Sequence, residues 1–170
     1  PQTRFLVLEP TRELAAQVET AIRDFARFTK LRIAVIFGGV GYGKQNDALR
    51  TGVDVLVATP GRLLDHIQQG NCKLDRVQHV VLDEADRMLD LGFSDDLAEI
   101  NQLTIARKQT MMFSATFAPR IQQLAARVMR EPQRITIDSP QEKHANIKQV
   151  LFWADNAHHK RKLLDHWLRD

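Results

Sequence analysis

The apolar run Val80-Val81-Leu82 ends in Asp83-Glu84-Ala85-Asp86. Three acids in four positions directly after a buried strand make a place for a divalent cation. A carboxylate at the carboxyl end of a strand holds Mg²⁺ together with water and substrate phosphates. Asp83 is the candidate for that role, acting through water, and Glu84 is placed to take a proton from an attacking water. Acids also gather at helix N-termini because of the helix dipole. That preference does not account for three of them after so apolar a run.

Gly38-Gly39-Val40-Gly41-Tyr42-Gly43-Lys44-Gln45 has the spacing of the phosphate-binding loop G-x-x-x-x-G-K. The position after the lysine should carry a hydroxyl for Mg²⁺, and here it is Gln45. On these residues alone two readings stay open, a phosphate loop and a flexible strand-to-helix turn.

Thr59-Pro60-Gly61-Arg62 follows the apolar stretch Val53–Ala58. Thr as N-cap and Pro at the first helical position start a helix. The free N–H groups there suit phosphate, and Arg62 adds charge. Glu9-Pro10-Thr11-Arg12-Glu13 repeats the design after Phe5–Leu8. Each alone reads as a capped helix. Two of them after parallel strands put Arg12 and Arg62 on one rim, a groove for a phosphate polymer. Ser114-Ala115-Thr116 follows Thr110–Phe113. Its hydroxyls either cap the next helix or touch the acids at Asp83–Asp86.

The elements that must position these groups are legible as alternating periods. Phe5–Leu8, Ile33–Phe37, Val53–Ala58, His79–Leu82, Thr110–Phe113, Arg134–Ile137 and Gln149–Trp153 read as strands, several of them unbroken Val/Ile/Leu runs of the kind buried on both faces. Arg12–Thr29, Asp47–Thr51, Arg62–Gln69, Asp95–Leu103 and Ala118–Met129 read as helices, and a further helix begins after Glu84. Leu14, Val18, Ile22 and Phe25 form the apolar stripe of the first. The alternation predicts an α/β fold, a parallel sheet flanked by helices with right-handed crossovers.

The chain has 170 residues, 44% hydrophobic and 26% charged, with 24 Lys and Arg against 21 Asp and Glu for a net charge of +3. This excludes a disordered or collagen-like chain. One cysteine, Cys72, excludes a disulfide framework. The sequence holds no 18-residue apolar run and opens with no charged leader, so the expectation is a cytoplasmic protein with no membrane partner. His144, His158, His159 and His166 lie in the last stretch; beside Lys160-Arg161-Lys162 they read as a solvated face rather than a metal site.

Taken in series, Pro10-Thr11-Arg12-Glu13-Leu14-Ala15, Gly38-Gly39, Thr59-Pro60-Gly61-Arg62, Asp83-Glu84-Ala85-Asp86 and Ser114-Ala115-Thr116 resemble the DEAD-box ATP-dependent RNA helicases, as does the flanking Arg87-Met88-Leu89-Asp90-Leu91-Gly92-Phe93, which is closest to bacterial members. The resemblance covers nearly the whole chain. It implies RecA-like domains that bind ATP with Mg²⁺ and RNA, and an RNA-stimulated ATPase in the complete protein. By that likeness Asp83 positions Mg²⁺–ATP and Glu84 activates water. Asp86, Ser114, Ala115 and Thr116 couple the nucleotide to the RNA. Pro10, Thr11, Arg12, Gly38, Gly39, Thr59, Pro60, Gly61 and Arg62 contact RNA sugar-phosphate.

The resemblance also places the family's phosphate loop upstream of Phe5, which makes Lys44 a bystander. It implies an interior slice that is inactive alone: residues 1–138 as most of a first RecA-like domain without its phosphate loop, 139–147 as a linker, and 148–170 as the first strand and helix of a second. Ribosomal or ribonucleoprotein partners belong to the same expectation. A non-catalytic RNA clamp of the same fold is the alternative, and intact acids and hydroxyls weigh against it. A DNA motor of the superfamily is disfavoured by Asp86, where many carry His, and by Thr59-Pro60-Gly61-Arg62.

Overall fold

The computed structural model describes residues 2–137 and 150–154. Its centre is a seven-stranded sheet in the order β2-β3-β1-β4-β5-β7-β6. The strands are β1 (Phe5–Leu8), β2 (Ile33–Ile36), β3 (Val55–Ala58), β4 (His79–Leu82), β5 (Gln109–Ser114), β6 (Gln133–Ile137) and β7 (Val150–Ala154). β1 to β5 are all parallel, with Leu8 level with Ala58 on one side and with Leu82 on the other. The five-stranded parallel core bears out the α/β expectation. β7, expected over 149–153, runs antiparallel between β5 and β6.

The helices are α1 (Arg12–Ala26), α2 (Gly43–Thr51), α3 (Pro60–Gln68), α4 (Ala85–Asp90), α5 (Ser94–Leu103) and α6 (Pro119–Val128). From β1 the chain crosses outward to β2 through α1, then returns through β3 to β4 on the far side of β1. Right-handed crossovers require the helix to change face when the direction of travel reverses. So among the described residues α1 alone covers one face, packing Ala15, Val18 and Ile22 on Val7, Val57, Val81 and Met111. The opposite face holds Leu6, Leu8, Ile36, Leu56, Leu82 and Met112 under residues of α3, α5 and α6 such as Leu63, Ile100 and Leu124.

Three departures from the sequence expectation stand out, beside shifts of one or two residues at other element ends. Phe25 lies 90% exposed instead of completing the α1 stripe. A 15-residue helix is about 22 Å long and the four-residue strands under it span about 13 Å, so its last turn overhangs the sheet. α2 begins at Gly43 rather than Asp47. The acids at 83–86 lead into a separate short helix, α4, ahead of α5. Arg107 ties the ends of α5 and α6 together, donating to the Asn101 and Thr104 carbonyls at 3.2 and 3.0 Å and to the Val128 carbonyl.

Candidate functional site at the carboxyl edge of the sheet

The chain reverses its direction across the sheet at β1, and ligands in open α/β sheets bind outside the carboxyl ends of strands at such a switch point. All five motif segments of the sequence, at 10–15, 38–39, 59–62, 83–86 and 114–116, lie along that edge. Two patches result, one past β1, β2 and β3 and one past β4 and β5.

In the first patch Thr11 caps α1, its Oγ1 accepting from the Leu14 N–H at 3.3 Å. Arg12 is exposed, and its guanidinium reaches the glycine loop after β2: a Cβ placed on Gly39 would stand 3.1 Å from Arg12 Nη1. Gly39 also has φ +84°, a left-handed conformation that penalises any side chain. Thr59 is buried at the start of α3 with Pro60 at its first position, and its hydroxyl makes no cap bond. Arg62 stacks on the Tyr42 ring at 4.0 Å and donates to the Val40 carbonyl at 2.9 Å. The structure therefore brings Arg12, the glycines and the Thr59–Arg62 turn into one continuous surface.

In the second patch Asp83 and Glu84 are half-buried. Asp83 Oδ1 accepts the Glu84 N–H at 3.0 Å. Glu84 has φ 46° and ψ 53°, a left-handed conformation in a non-glycine residue that costs about 1–2 kcal/mol. This turns the chain sharply from β4 into α4. Ser114 is buried and its Oγ accepts the Thr116 N–H at 3.4 Å, while Ala115 and Thr116 are exposed. Among the described residues no hydrogen bond joins Asp86 to either hydroxyl.

Glu9 lies between the patches and was assigned no role from sequence. It follows β1 as Asp83 follows β4, and the two strands are neighbours. Glu9 is completely buried, and neither carboxyl oxygen has an N–H or O–H partner. Burial pushes its pKa up to about 10; a hydrogen bond with Asp83 and the charges of Asp83 and Glu84 push the same way. Orphaned oxygens and a hydrogen bond to Asp83 are compatible in one protonation state. An ionised Glu9 has nothing to accept from, whereas a neutral acid donates its O–H to the Asp83 carboxylate. Glu9 is therefore a neutral acid behind the candidate metal carboxylate. The signal in the sequence was a charged residue in phase with inward-facing Phe5 and Val7.

Gln45, read from sequence as a missing hydroxyl, is a buried hub. Its Nε2 donates to the Phe37 carbonyl at 3.0 Å, and its Oε1 lies 2.8 Å from His66 Nε2 and 3.3 Å from Arg62 Nη1. Burial, reinforced by the Arg62 charge, lowers the pKa of His66, with Asp65 opposing. Lys44 beside it is exposed. β2 is three strand steps from β4, about 14 Å at the usual spacing, so Lys44 starts from the wrong end of the edge to serve a phosphate at Asp83.

For a cation, the donor set fits an oxygen-loving ion held through water. Asp83 offers a half-exposed carboxylate with hard oxygen donors. No three His, Cys, Asp or Glu side chains converge as a ready-made cage among the described residues. The histidines at 144, 158, 159 and 166, and the expected linker, lie outside the described residues. No helix among the described residues is long and apolar enough to cross a membrane.

Comparison with known proteins agrees with this geometry. The profile of the DEAD/DEAH box helicase family matches residues 1–124. The chain is 44% identical over 157 residues to the ATP-dependent RNA helicase RhlB of Actinobacillus succinogenes, covering 91% of this chain and 38% of that protein. It is 48% identical over 139 residues to the ATP-dependent RNA helicase DbpA of Escherichia coli, covering 81% and 30%. Among solved structures it superposes on the yeast DEAD-box splicing factor Prp28 with a TM-score of 0.72 and 34% identity, over 75% of this chain and 31% of that one. A hypothetical ATP-dependent RNA helicase from Sulfolobus tokodaii gives 0.69 and 41%, over 73% and 37%. The chain thus spans about two fifths or less of the length of these relatives.

Proposed function

The chain belongs to the DEAD/DEAH box helicase family, and from that footing we propose that the complete protein couples ATP binding and hydrolysis to local RNA strand separation or ribonucleoprotein remodelling in the cytoplasm. The observation that carries this reading is the convergence of all five motif segments on one sheet edge, as an arginine- and glycine-bearing patch adjoining an acidic one.

The acidic patch takes the triphosphate end. Asp83 would hold Mg²⁺ through water, and the ion when bound would supply charge neutralisation of the phosphates. Glu84, fixed by its left-handed turn, accepts the proton of the attacking water. The Ser114–Thr116 turn lies one strand further along, where Asp86 and the hydroxyls pass the nucleotide state to the RNA side. On that side Pro10–Arg12, Gly38–Gly39 and Thr59–Arg62 follow sugar-phosphate. Contacts of this kind hold the strand without reading its sequence. Residues 1–138 form the body of a first domain in this proposal, 139–147 a linker, and 148–170 the opening of a second.

Glu84→Gln in the full-length protein tests the reading. ATP and RNA binding persist and RNA-stimulated turnover falls by at least a hundredfold. Undiminished turnover removes Glu84 from the chemistry. A parent protein that binds RNA without any turnover replaces the helicase reading with the non-catalytic clamp, and equal stimulation by DNA removes the preference for RNA.

A further inference from the structure

We propose that Gln45 is the positioning residue of the nucleic-acid face, its buried carboxamide clamping the glycine loop after β2 onto the first turns of α3. The proposal rests on the reading that this face binds RNA.

The loop from Gly38 to Gly43 carries four glycines in six positions. Gly38, Gly41 and Gly43 have open space where a Cβ would stand, so packing at these positions does little to restrain the backbone. Gln45 supplies the missing restraint from inside. It is 7% exposed, and one amide bonds three residues at once, one at the end of β2 and two on α3. Its N–H holds the Phe37 carbonyl where the loop leaves β2, at 3.0 Å. That bond fixes the amide the other way up toward α3, so Oε1 faces the buried His66 Nε2 at 2.8 Å and Arg62 Nη1 at 3.3 Å. The His66 ring therefore carries its proton on Nε2, and its Nδ1 is left to accept from Asn71 at 3.4 Å.

Two further ties depend on the side chains so placed. Arg62 reaches the loop at the Val40 carbonyl and stacks on Tyr42. Tyr42 in turn donates to Asp65 at 3.0 Å and meets the His66 ring edge-on at 5.3 Å. The middle and far end of the loop are thus pinned to α3 directly, and its near end through Gln45. With Arg12 already against Gly39, the spacing of the glycine amides from the Thr59–Arg62 turn is set before RNA arrives. Preorganisation of that kind lowers the ordering cost paid on binding. It leaves the acidic patch, three strand steps away, untouched.

Steady-state ATPase of the full-length protein with poly(U) as the RNA probe tests this. Gln45→Met keeps the length and burial of the side chain and removes its three bonds. The half-saturating poly(U) concentration rises about tenfold, while kcat at saturating poly(U) and the KM for ATP stay within twofold. His66→Phe keeps the ring packing against Tyr42, removes one of the three bonds to Gln45 together with the longer contact to Asn71, and raises half-saturation about threefold; it decides the matter if Gln45→Met does not fold. Unchanged half-saturation in a folded variant overturns the proposal, as does an equal loss in kcat or ATP KM, the mark of a general structural defect. A parent protein that poly(U) neither binds nor stimulates overturns the RNA reading itself, and this proposal with it.

Discussion

Replacing Glu9 by Gln stabilises the protein at neutral pH by an amount set by proton linkage. Glu9 has an ordinary pKa of 4.5 in the unfolded chain and about 10 in the fold. Between those values the folded state holds a proton that the unfolded chain has released. Stability therefore falls as pH rises, by about 1.4 kcal/mol per pH unit for one proton. From 4.5 to 7 the accumulated cost is on the order of 3 kcal/mol. That figure does not depend on whether the folded value is 9 or 11, because both lie well above 7. Gln is isosteric, stays neutral, and its amide N–H replaces the O–H donated to Asp83. Urea unfolding of parent and Glu9→Gln at pH 5, 6, 7 and 8 gives curves that nearly meet at the acid end. They then diverge by about 1 kcal/mol or more per unit, the variant being the more stable. A ¹³C NMR titration of the Glu9 carboxyl shows no ionisation below pH 8. Parallel stability curves, or a carboxyl that titrates near 4.5, would falsify the neutral acid behind Asp83.

Three further outcomes follow from the same geometry. Lys44→Ala in the complete protein leaves ATP affinity within twofold of the parent; a collapse of nucleotide binding would restore the local phosphate-loop reading. His66 has a folded pKa below its ordinary 6.5, so on acidification the unfolded chain takes the proton first. Stability is full above pH 6.5 and falls as pH drops below it, and His66→Gln flattens that acid limb in thermal unfolding between pH 7 and pH 5. Arg107→Met removes the side-chain donor from the carbonyls of Asn101, Thr104 and Val128; the first two keep the backbone N–H groups of Thr104 and Arg107, so the Val128 carbonyl is the one left without a partner. It costs about 1–3 kcal/mol in urea unfolding with little change in the half-saturating RNA concentration, and a neutral result would mean that water satisfies the Val128 carbonyl.

Most of the site was legible because its chemistry is carried by short contiguous segments at strand ends. Asp83-Glu84, Ser114-Ala115-Thr116 and Thr59-Pro60-Gly61-Arg62 each follow an apolar run whose length and composition announce a buried parallel strand. Strand ends of one parallel sheet necessarily share an edge. Glu9 and Gln45 were not legible, because their roles depend on partners far off in the chain, Asp83 for one and His66 and Arg62 for the other. For Glu9 the local pattern offers only a charge in phase with Phe5 and Val7, which does not by itself tell a solvated Glu before a helix from one sealed beneath it.

The sequence by itself determined the α/β alternation, the five motif segments and their membership of a helicase family. Periodicity and short-range capping act within a few residues, so they are written locally. Only the tertiary structure decided the strand order, the separation of Lys44 from Asp83, the neutral state of Glu9 and the clamp around Gln45. Each of these is a matter of desolvation and of which strand lies beside which, and burial and strand neighbours exist only once the chain has crossed and recrossed β1.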